Sequence, residues 1–131
     1  MTGPAPARAG QTRVRVLVVD DEPLARAHLC ALLAARDDVE VVGECGDGRS
    51  AVERIDADAP DVVLLDIHMP ELSGLEVVRE IGADRMPTVV FVTAHDDHAL
   101  EAFEAQALDY IVKPVERERL AAAMDRAVRA A

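Results

Sequence analysis

The sequence predicts an α/β fold in which a parallel sheet is covered by helices on both faces. Apolar runs of strand length alternate along the chain with segments of helical periodicity. The run at 62–65 is apolar without interruption, which is typical of a strand buried on both faces. Half of the residues are hydrophobic but only 2% are aromatic, so Ala, Val, Leu and Ile must form the core. Such a core suits helices packed on a parallel sheet.

The first three strand–helix units each carry a local start signal. Pro23 fits the first turn of a helix, Asp47 lies in a Gly-Asp-Gly turn, and Ser73-Gly74 opens a third helix. Apolar residues recur at helical spacing inside each helix. The predicted strands, each followed by its helix, are 14–19 with 23–36, 39–45 with 50–57, and 62–65 with 74–81.

The last two units follow the same rhythm. The fourth strand is rich in valine and leads to Thr93, and the fifth leads to Lys113 and Pro114. The fourth helix is predicted from Ala99, Leu100 and Phe103. These strands and helices are 87–92 with 97–105, and 108–112 with 116–130. Joined by right-handed crossovers, the five units give a flavodoxin-like (βα)5 doubly wound sheet with strand order 2-1-3-4-5.

Length and composition restrict the class of protein. The 131 residues suffice for one domain with a core but not for two. Residues 1–12 lack an apolar central region and are interpreted as a disordered tail or cloning remnant, not a signal peptide. No apolar run is long enough for a transmembrane helix. Cys30 and Cys45 lack metal-type spacing, which favours a reduced, cytoplasmic protein. The net charge of −11 argues against nucleic acid or membrane binding by this chain itself.

Acids, one hydroxyl and the only lysine follow the predicted strands. They are Asp20 and Asp21 after strand 1, Asp66 after strand 3, Thr93 after strand 4, and Lys113 after strand 5. Ligands of open α/β sheets bind beyond the carboxyl ends of the strands, so we expect these side chains to line one pocket. Clustered carboxylates take up a proton or bind a cation, and an oxygen-only donor set suits Mg²⁺. A carboxylate can also attack phosphorus, while an amine and a hydroxyl contact the phosphoryl oxygens.

These residues lie in segments that resemble the receiver domain of bacterial two-component response regulators. The segments are Val-Val-Asp20-Asp21-Glu-Pro, Leu-Asp66-Ile-His-Met-Pro-x-x-Ser-Gly, Val-Thr93-Ala94, and Asp109-Tyr110-Ile-Val-Lys113-Pro114. The resemblance covers essentially the whole chain after residue 12, so residues 13–131 are predicted to be a receiver domain. It implies that Asp66 accepts a phosphoryl group from a cognate sensor histidine kinase. It also implies that Asp21, Asp66 and the backbone carbonyl of His68 bind Mg²⁺, with Asp20 acting through water.

The resemblance implies a switch as well. Thr93, Ala94 and Lys113 would contact the phosphoryl group. Thr93 would shift toward it and Tyr110 would turn inward, which reshapes the face of helix 4, strand 5 and helix 5. The alternative for Tyr110 is a half-buried core residue. The Lys113–Pro114 bond is implied to be cis. Charges of both signs on this face leave open a homodimer through it.

Two further segments resemble the LytTR (LytR/AlgR) class of regulators. They are Asp-Asp-Glu-Pro-Leu-Ala-Arg at 20–26 and Ala-His-Asp-Asp-His-Ala-Leu-Glu-Ala-Phe-Glu at 94–104. This resemblance implies regulation of transcription, with DNA contacted only through an output domain outside this chain. The alternatives are a stand-alone receiver that acts by protein contacts and a docking module independent of phosphorylation. The chain is predicted not to be an enzyme beyond its own phosphorylation and dephosphorylation.

Two other classes share this kind of sheet but fit the motifs less well. An aspartate-nucleophile phosphatase carries its nucleophile after the first strand and a second Asp two residues later. Here Glu22 occupies that second place. A nucleotide-binding domain would carry a glycine-rich loop after strand 1, whereas this chain carries acids that repel phosphate.

Two histidines are expected at the mouth of the pocket. His68 follows Asp66 by two residues, and His95 follows Thr93 by two. One hypothesis is that they tune the lifetime of the acyl phosphate and make its hydrolysis pH-dependent. A second hypothesis is that the pair binds a transition metal. Two solvated imidazoles without a metal are the preferred interpretation. His28 and His98, on predicted helices, are assigned no role.

Overall fold

The strands and helices alternate along the chain as the sequence predicts. The computed structural model describes residues 13–131, so the prediction for residues 1–12 lies outside the described residues. The elements are β1 (Val14–Val19), α1 (Pro23–Ala34), β2 (Val39–Cys45), α2 (Gly48–Asp58), β3 (Val62–Leu65), α3 (Gly74–Ile81), β4 (Thr88–Thr93), α4 (Ala99–Glu104), β5 (Asp109–Val112) and α5 (Arg117–Ala130). In this part of the chain, no helix has the length and hydropathy needed to cross a membrane.

The five described strands form one parallel sheet in the order β2-β1-β3-β4-β5. The predicted flavodoxin-like fold and strand order are therefore confirmed. Because all strands run in the same direction, their carboxyl ends lie at one edge of the sheet. The central strands β1, β3 and β4 therefore place the residues that follow them beside one another.

Within the described residues, two hydrophobic clusters cover the two faces of the sheet. Alternate residues of β3 point to opposite faces, so Val63 and Leu65 contact the α2 and α3 side. Val62 and Leu64 contact the α1 and α5 side. All four are fully buried. The uninterrupted apolar run at β3 thus reflects burial on both faces, as predicted from the sequence.

The starts of two helices, α2 and α4, differ from their predicted positions by two residues each. α2 starts at Gly48, two residues earlier than predicted, and the Asp47 side chain accepts a hydrogen bond from the Ser50 amide at 2.8 Å. This N-cap explains the earlier start. α4 is shorter than predicted, and its N-cap residue, His98, makes no capping hydrogen bond through its side chain.

The apolar residues of α4 do not pack as its periodicity suggests. Leu100 and Phe103 are 69% and 80% exposed, and within Ala99–Glu104 only Ala102 is buried. A six-residue helix touches the core through this single small side chain. Together with Val112 of β5, which is 42% exposed, the two large side chains lie on the surface.

An ion cluster attaches α5 to β5. Asp109 receives two hydrogen bonds from Arg119, at 2.6 and 2.8 Å, and also pairs with Arg126. The Tyr110 amide donates a third hydrogen bond to Asp109, at 2.8 Å. Burial alone would raise the pKa of the Asp109 carboxyl, but the hydrogen bonds from Arg119 and Tyr110 outweigh it and lower that pKa.

The Asp109→Asn variant is expected to lose about 1 kcal/mol of unfolding free energy at neutral pH, because two arginines lose their charged partner. The pKa of Asp109 is lower in the folded than in the unfolded chain. The carboxylate therefore contributes its full unfolding free energy above the pKa of the unfolded chain, about 4. This contribution is lost as the pH falls through the pKa of the folded chain. Urea unfolding over a pH series measures both effects. A difference from wild type that persists at the acidic end would contradict the assignment, and Asp84→Asn on the exposed α3–β4 connection is the control.

Candidate functional site

The carboxyl edge of the sheet brings together the five side chains that the sequence predicts there. Asp20, Asp66 and Thr93 are buried, with 0%, 4% and 0% of their surface exposed. Asp21 and Lys113 are partly exposed at the rim. Three acids beside one amine therefore form a pocket with a buried floor and an open side.

The backbone around Asp66 is held from two directions. Its amide donates to the Val19 carbonyl at 3.0 Å, which continues the pairing of β3 with β1 beyond the end of the strand. On the other side the Gly74 amide donates to the Ile67 carbonyl at 2.9 Å. A Cβ atom at Gly74 would lie 2.2 Å from the Asp66 carbonyl oxygen, so only glycine allows α3 to start this close.

The start of α3 is fixed by a capping box. The Ser73 hydroxyl accepts from the Glu76 amide at 3.2 Å, and the Glu76 carboxylate accepts from the Ser73 amide at 2.8 Å. The two hydrogen bonds satisfy amides that a helix start leaves free. Together with the close approach of Gly74, they position the loop that carries Asp66.

The Lys113 amine lies among three carboxylates. Its Nζ is 2.8 Å from Asp20 Oδ2, 3.1 Å from Glu22 Oε1 and 3.4 Å from Asp66 Oδ2. Burial alone would lower the pKa of Lys113, but the hydrogen bond to Asp20 and the charge of Asp66 outweigh it and raise that pKa. The amine is therefore a permanent cation at neutral pH. Its peptide bond to Pro114 is cis, as the resemblance implies.

Glu22 is a site residue that the sequence reasoning missed. It was considered only as the residue that replaces a phosphatase acid. The Glu22 amide donates to Asp20 Oδ1 at 2.9 Å, and its exposed carboxylate reaches Lys113. The available signal was its place in a run of three acids directly after β1.

The Asp66 carboxylate is in an environment unusual for an acid. Its Oδ1 accepts from the His68 amide at 3.2 Å, and its Oδ2 accepts from Lys113 at 3.4 Å. Burial raises the pKa of Asp66, and the charge of Asp20 adds to the rise while Lys113 opposes it. A further cation nearby would stabilise the charged form of such a buried acid.

The three acids also fit a divalent cation. Asp20, Asp21 and Asp66 each offer a carboxylate oxygen, and these oxygens lie within 4.8 Å of one another. The donor set contains only oxygens, and the partly exposed Asp21 leaves space for water. Both features are preferences of Mg²⁺.

Tyr110 connects β5 to the β4–α4 loop. Its hydroxyl donates to the His95 carbonyl at 2.5 Å and accepts from the His98 amide at 3.2 Å. Thr93 Oγ1 accepts from the His95 amide at 3.4 Å. Tyr110 is half-buried and packs against the α2 and α3 side of the core, so it also matches the alternative interpretation. The two predicted switch residues thus hold the same short loop.

The histidines are arranged differently from the prediction. His68 and His95 are adjacent, with ring centroids 4.1 Å apart. His98, which was assigned no role, joins them, and its Nε2 lies 3.0 Å from Nε2 of His68. His28 lies elsewhere, with its Nε2 2.9 Å from the Val115 carbonyl oxygen. Because α4 starts later than predicted, His98 lies at its N-cap and faces the loop.

Comparison with known proteins gives consistent matches at the level of sequence. The model of the response regulator receiver domain family matches residues 16–125. The transcriptional regulatory protein BtsR of Salmonella typhi is 49% identical over 107 residues, which are 82% of this chain and 45% of that protein. A response regulatory protein of Vibrio cholerae is 46% identical over 113 residues, which are 86% and 48% of the two chains. The chain therefore spans about half the length of the curated relatives it matches.

Two solved structures of receiver domains match the fold over nearly their whole length. The response regulatory domain of MrkE from Klebsiella pneumoniae has a TM-score of 0.82 at 34% identity, covering 88% of this chain and 96% of that one. The receiver domain of a NarL regulator from Mycobacterium tuberculosis also has a TM-score of 0.82 at 34% identity, covering 91% and 98%.

Proposed function

The chain belongs to the response regulator receiver domain family, and on that premise we propose that it is a switch controlled by phosphorylation of Asp66. The observation that carries the proposal is the buried Asp66 carboxylate, with Lys113 at 3.4 Å and two further acids close by. An acid, a permanent cation and a cation-binding set in one pocket are what transfer of a phosphoryl group to a carboxylate requires.

The proposed reaction transfers a phosphoryl group to the chain itself. A carboxylate oxygen of Asp66 attacks the phosphorus of a phosphohistidine on the sensor histidine kinase. A P–O bond forms, the P–N bond breaks, and the electron pair leaves with the imidazole. Water later attacks the phosphorus, which releases phosphate and restores the carboxylate. Because the phosphoryl group ends on its own side chain, the chain acts as a switch rather than a metabolic enzyme.

Neighbouring residues stabilise the transferred group. The Lys113 ammonium and the Thr93 hydroxyl would donate to its oxygens, and Ala94 leaves space for it. Asp21, Asp66 and the His68 backbone carbonyl would hold Mg²⁺, with Asp20 acting through water. Bound there, the ion would neutralise charge on the phosphoryl oxygens.

The output would arise at the face of α4, β5 and α5. When Thr93 moves toward the phosphoryl group, the hydrogen bonds that hold Tyr110 to the β4–α4 loop are expected to change. Leu100, Phe103 and Val112 lie exposed near this face and support contact with another protein, a second copy included. A homodimer formed through this face on phosphorylation is the proposed form of that contact.

The role beyond this domain is also a proposal. The match to a protein named a transcriptional regulatory protein supports a role in transcription. The output domain is proposed to be of LytTR type because of the two segments at 20–26 and 94–104, and it would contact DNA in a longer protein. A stand-alone receiver and a docking module independent of phosphorylation are the alternatives. A cytoplasmic location is expected for each of them.

The requirement for Mg²⁺ tests the proposal directly. Incubation with a small acyl-phosphate donor is expected to add one phosphoryl group, measured by intact-protein mass, and a chelator is expected to prevent the addition. Asp21→Asn should slow the addition at least tenfold, because it removes one carboxylate from the ion, whereas Asp84→Asn should not. No gain in mass under any condition, with the chain folded, would favour the docking module. A gain that survives the chelator would contradict the role of Mg²⁺.

A further inference from the structure

A second set of metal-ligating side chains lies at the mouth of the pocket, apart from the three acids. Within residues 13–131, His68, Asp97 and His98 each offer one ligand atom, and these atoms lie within 4.8 Å of one another. His68 belongs to the β3–α3 loop, whereas Asp97 and His98 precede α4. The fold therefore brings these ligands together from two separate loops.

The distances match those of a small coordination sphere. His68 Nε2 lies 3.0 Å from His98 Nε2, and Asp97 Oδ1 lies 3.5 Å from the same His98 atom. Zinc binds imidazole nitrogen and carboxylate oxygen at about 2.0–2.2 Å in tetrahedral geometry, which separates neighbouring ligand atoms by roughly 3.3 Å. The two measured distances lie on either side of this value. Small rotations of exposed side chains would complete the geometry.

A carboxylate orients one of the two imidazoles. Glu101 Oε2 lies 3.3 Å from Nδ1 of His98. An Nδ1–H that donates to Glu101 leaves Nε2 unprotonated, with its lone pair directed toward His68 and Asp97. A metal-bound histidine usually donates its other ring N–H to a carboxylate in this manner. Without a metal, an Nε2–H of His68 can donate to this lone pair at 3.0 Å, whereas the Asp97 carboxylate at 3.5 Å offers only an acceptor, and a cation would bind all three ligand atoms.

The three ligands differ in kind from those of the acid pocket. Two imidazole nitrogens and one carboxylate suit Zn²⁺ and related transition metals, whereas Mg²⁺ prefers oxygen ligands. His95 lies beside His68, with ring centroids 4.1 Å apart and ring planes inclined by 49°. The cluster lies on the surface, with the Asp97 side chain 73% exposed, so a metal ion can enter and its remaining positions can hold water.

We propose that the chain binds one divalent transition-metal ion of the Zn²⁺ class through His68 Nε2, His98 Nε2 and the Asp97 carboxylate. Glu101 acts as a positioning residue for His98. For His68 and His95 alone, the sequence favours solvated imidazoles over a metal site. The third ligand and the orienting carboxylate, which come from the start of α4, favour the metal instead. The site shares only His68 with the proposed Mg²⁺ site, through the imidazole instead of the backbone carbonyl, and does not depend on phosphorylation.

Calorimetric titration of Zn²⁺ into the chain tests the proposal, with Mg²⁺ in excess so that the acid pocket is occupied. One Zn²⁺ ion per chain is expected to bind. His68→Ala and His98→Ala should each weaken the affinity at least tenfold, and His28→Ala, which lies outside the cluster, should not. Far-UV circular dichroism checks that each variant is folded. For Glu101→Gln, the loss of the orienting carboxylate should weaken binding by about 10–100-fold.

Cobalt gives a second readout of the ligands. Co²⁺ bound by two imidazoles and a carboxylate in tetrahedral geometry absorbs strongly in the visible range, whereas Co²⁺ in an all-oxygen octahedral site absorbs weakly. The strong bands should appear in the wild type, change in Glu101→Gln and disappear in His98→Ala. Failure of the wild type to bind Zn²⁺, or an affinity unchanged in both histidine variants, would overturn the proposal. So would Zn²⁺ binding that is lost only in Asp21→Asn, because the ion would then lie among the three acids.

Discussion

Replacement of Asp66 by Asn is expected to abolish phosphorylation of the chain. The amide is isosteric with the carboxylate but has no oxygen that can attack phosphorus and form a stable acyl phosphate. Intact-protein mass after incubation with an acyl-phosphate donor and Mg²⁺ should show one added phosphoryl group in the wild type and none in the variant. A complete loss would assign the phosphoryl group to Asp66 rather than Asp20, which is also buried beside Lys113 and whose Oδ1 likewise accepts from the amide two residues later.

The same variant should remain folded. Burial raises the pKa of Asp66, which means that the folded chain disfavours its charged form. A neutral amide therefore removes no net stabilisation at neutral pH, and Lys113 keeps its contacts with Asp20 and Glu22. Urea unfolding should give a free energy at least equal to that of the wild type. An added phosphoryl group in Asp66→Asn would place the acceptor elsewhere, and Asp84→Asn should be phosphorylated normally.

The sequence was informative wherever the parallel sheet alone determines position. Topology places Asp20, Asp66, Thr93 and Lys113 at one edge whatever their rotamers, because Thr93 ends a strand and each of the others directly follows one. The uninterrupted apolar run of β3 likewise predicted its burial on both faces. These inferences required strand order and direction but no side-chain detail, and this is why the sequence sufficed for them.

The sequence was less informative about contacts made by loops. The reach of Glu22 to Lys113 and the meeting of His68 with His98 depend on the conformations of loops from different parts of the chain. α4 shows the same limit, because helical periodicity marked Leu100 and Phe103 as apolar without showing which partner covers them. Only Ala102 reaches the core, since so short a helix offers few side chains to the sheet. The fold therefore leaves Leu100 and Phe103 exposed, at the face where contact with another protein is proposed.

The Gly74→Ala variant is expected to lower the unfolding free energy by about 3 kcal/mol, at the upper end of the usual cost of overpacking. The added Cβ would lie 2.2 Å from the Asp66 carbonyl oxygen and 3.0 Å from its carbonyl carbon. Both are backbone atoms, so α3 and the loop must separate. The higher helix propensity of alanine offsets at most about 1 kcal/mol of this loss of unfolding free energy. Urea unfolding measures the net loss.

Phosphorylation of Gly74→Ala distinguishes a local shift from a general loss of stability. Separating α3 from the loop moves the Asp66 carboxylate relative to Lys113, and a misplacement near 1 Å can cost about 100-fold in rate. Gly46→Ala is the matched control, because its Cβ would meet only the end of the Arg26 side chain, at 3.2 Å, and that side chain can move. We expect the control to match the wild type in stability and in rate. If Gly74→Ala were as stable and as rapidly phosphorylated as the control, the start of α3 would not position the acceptor.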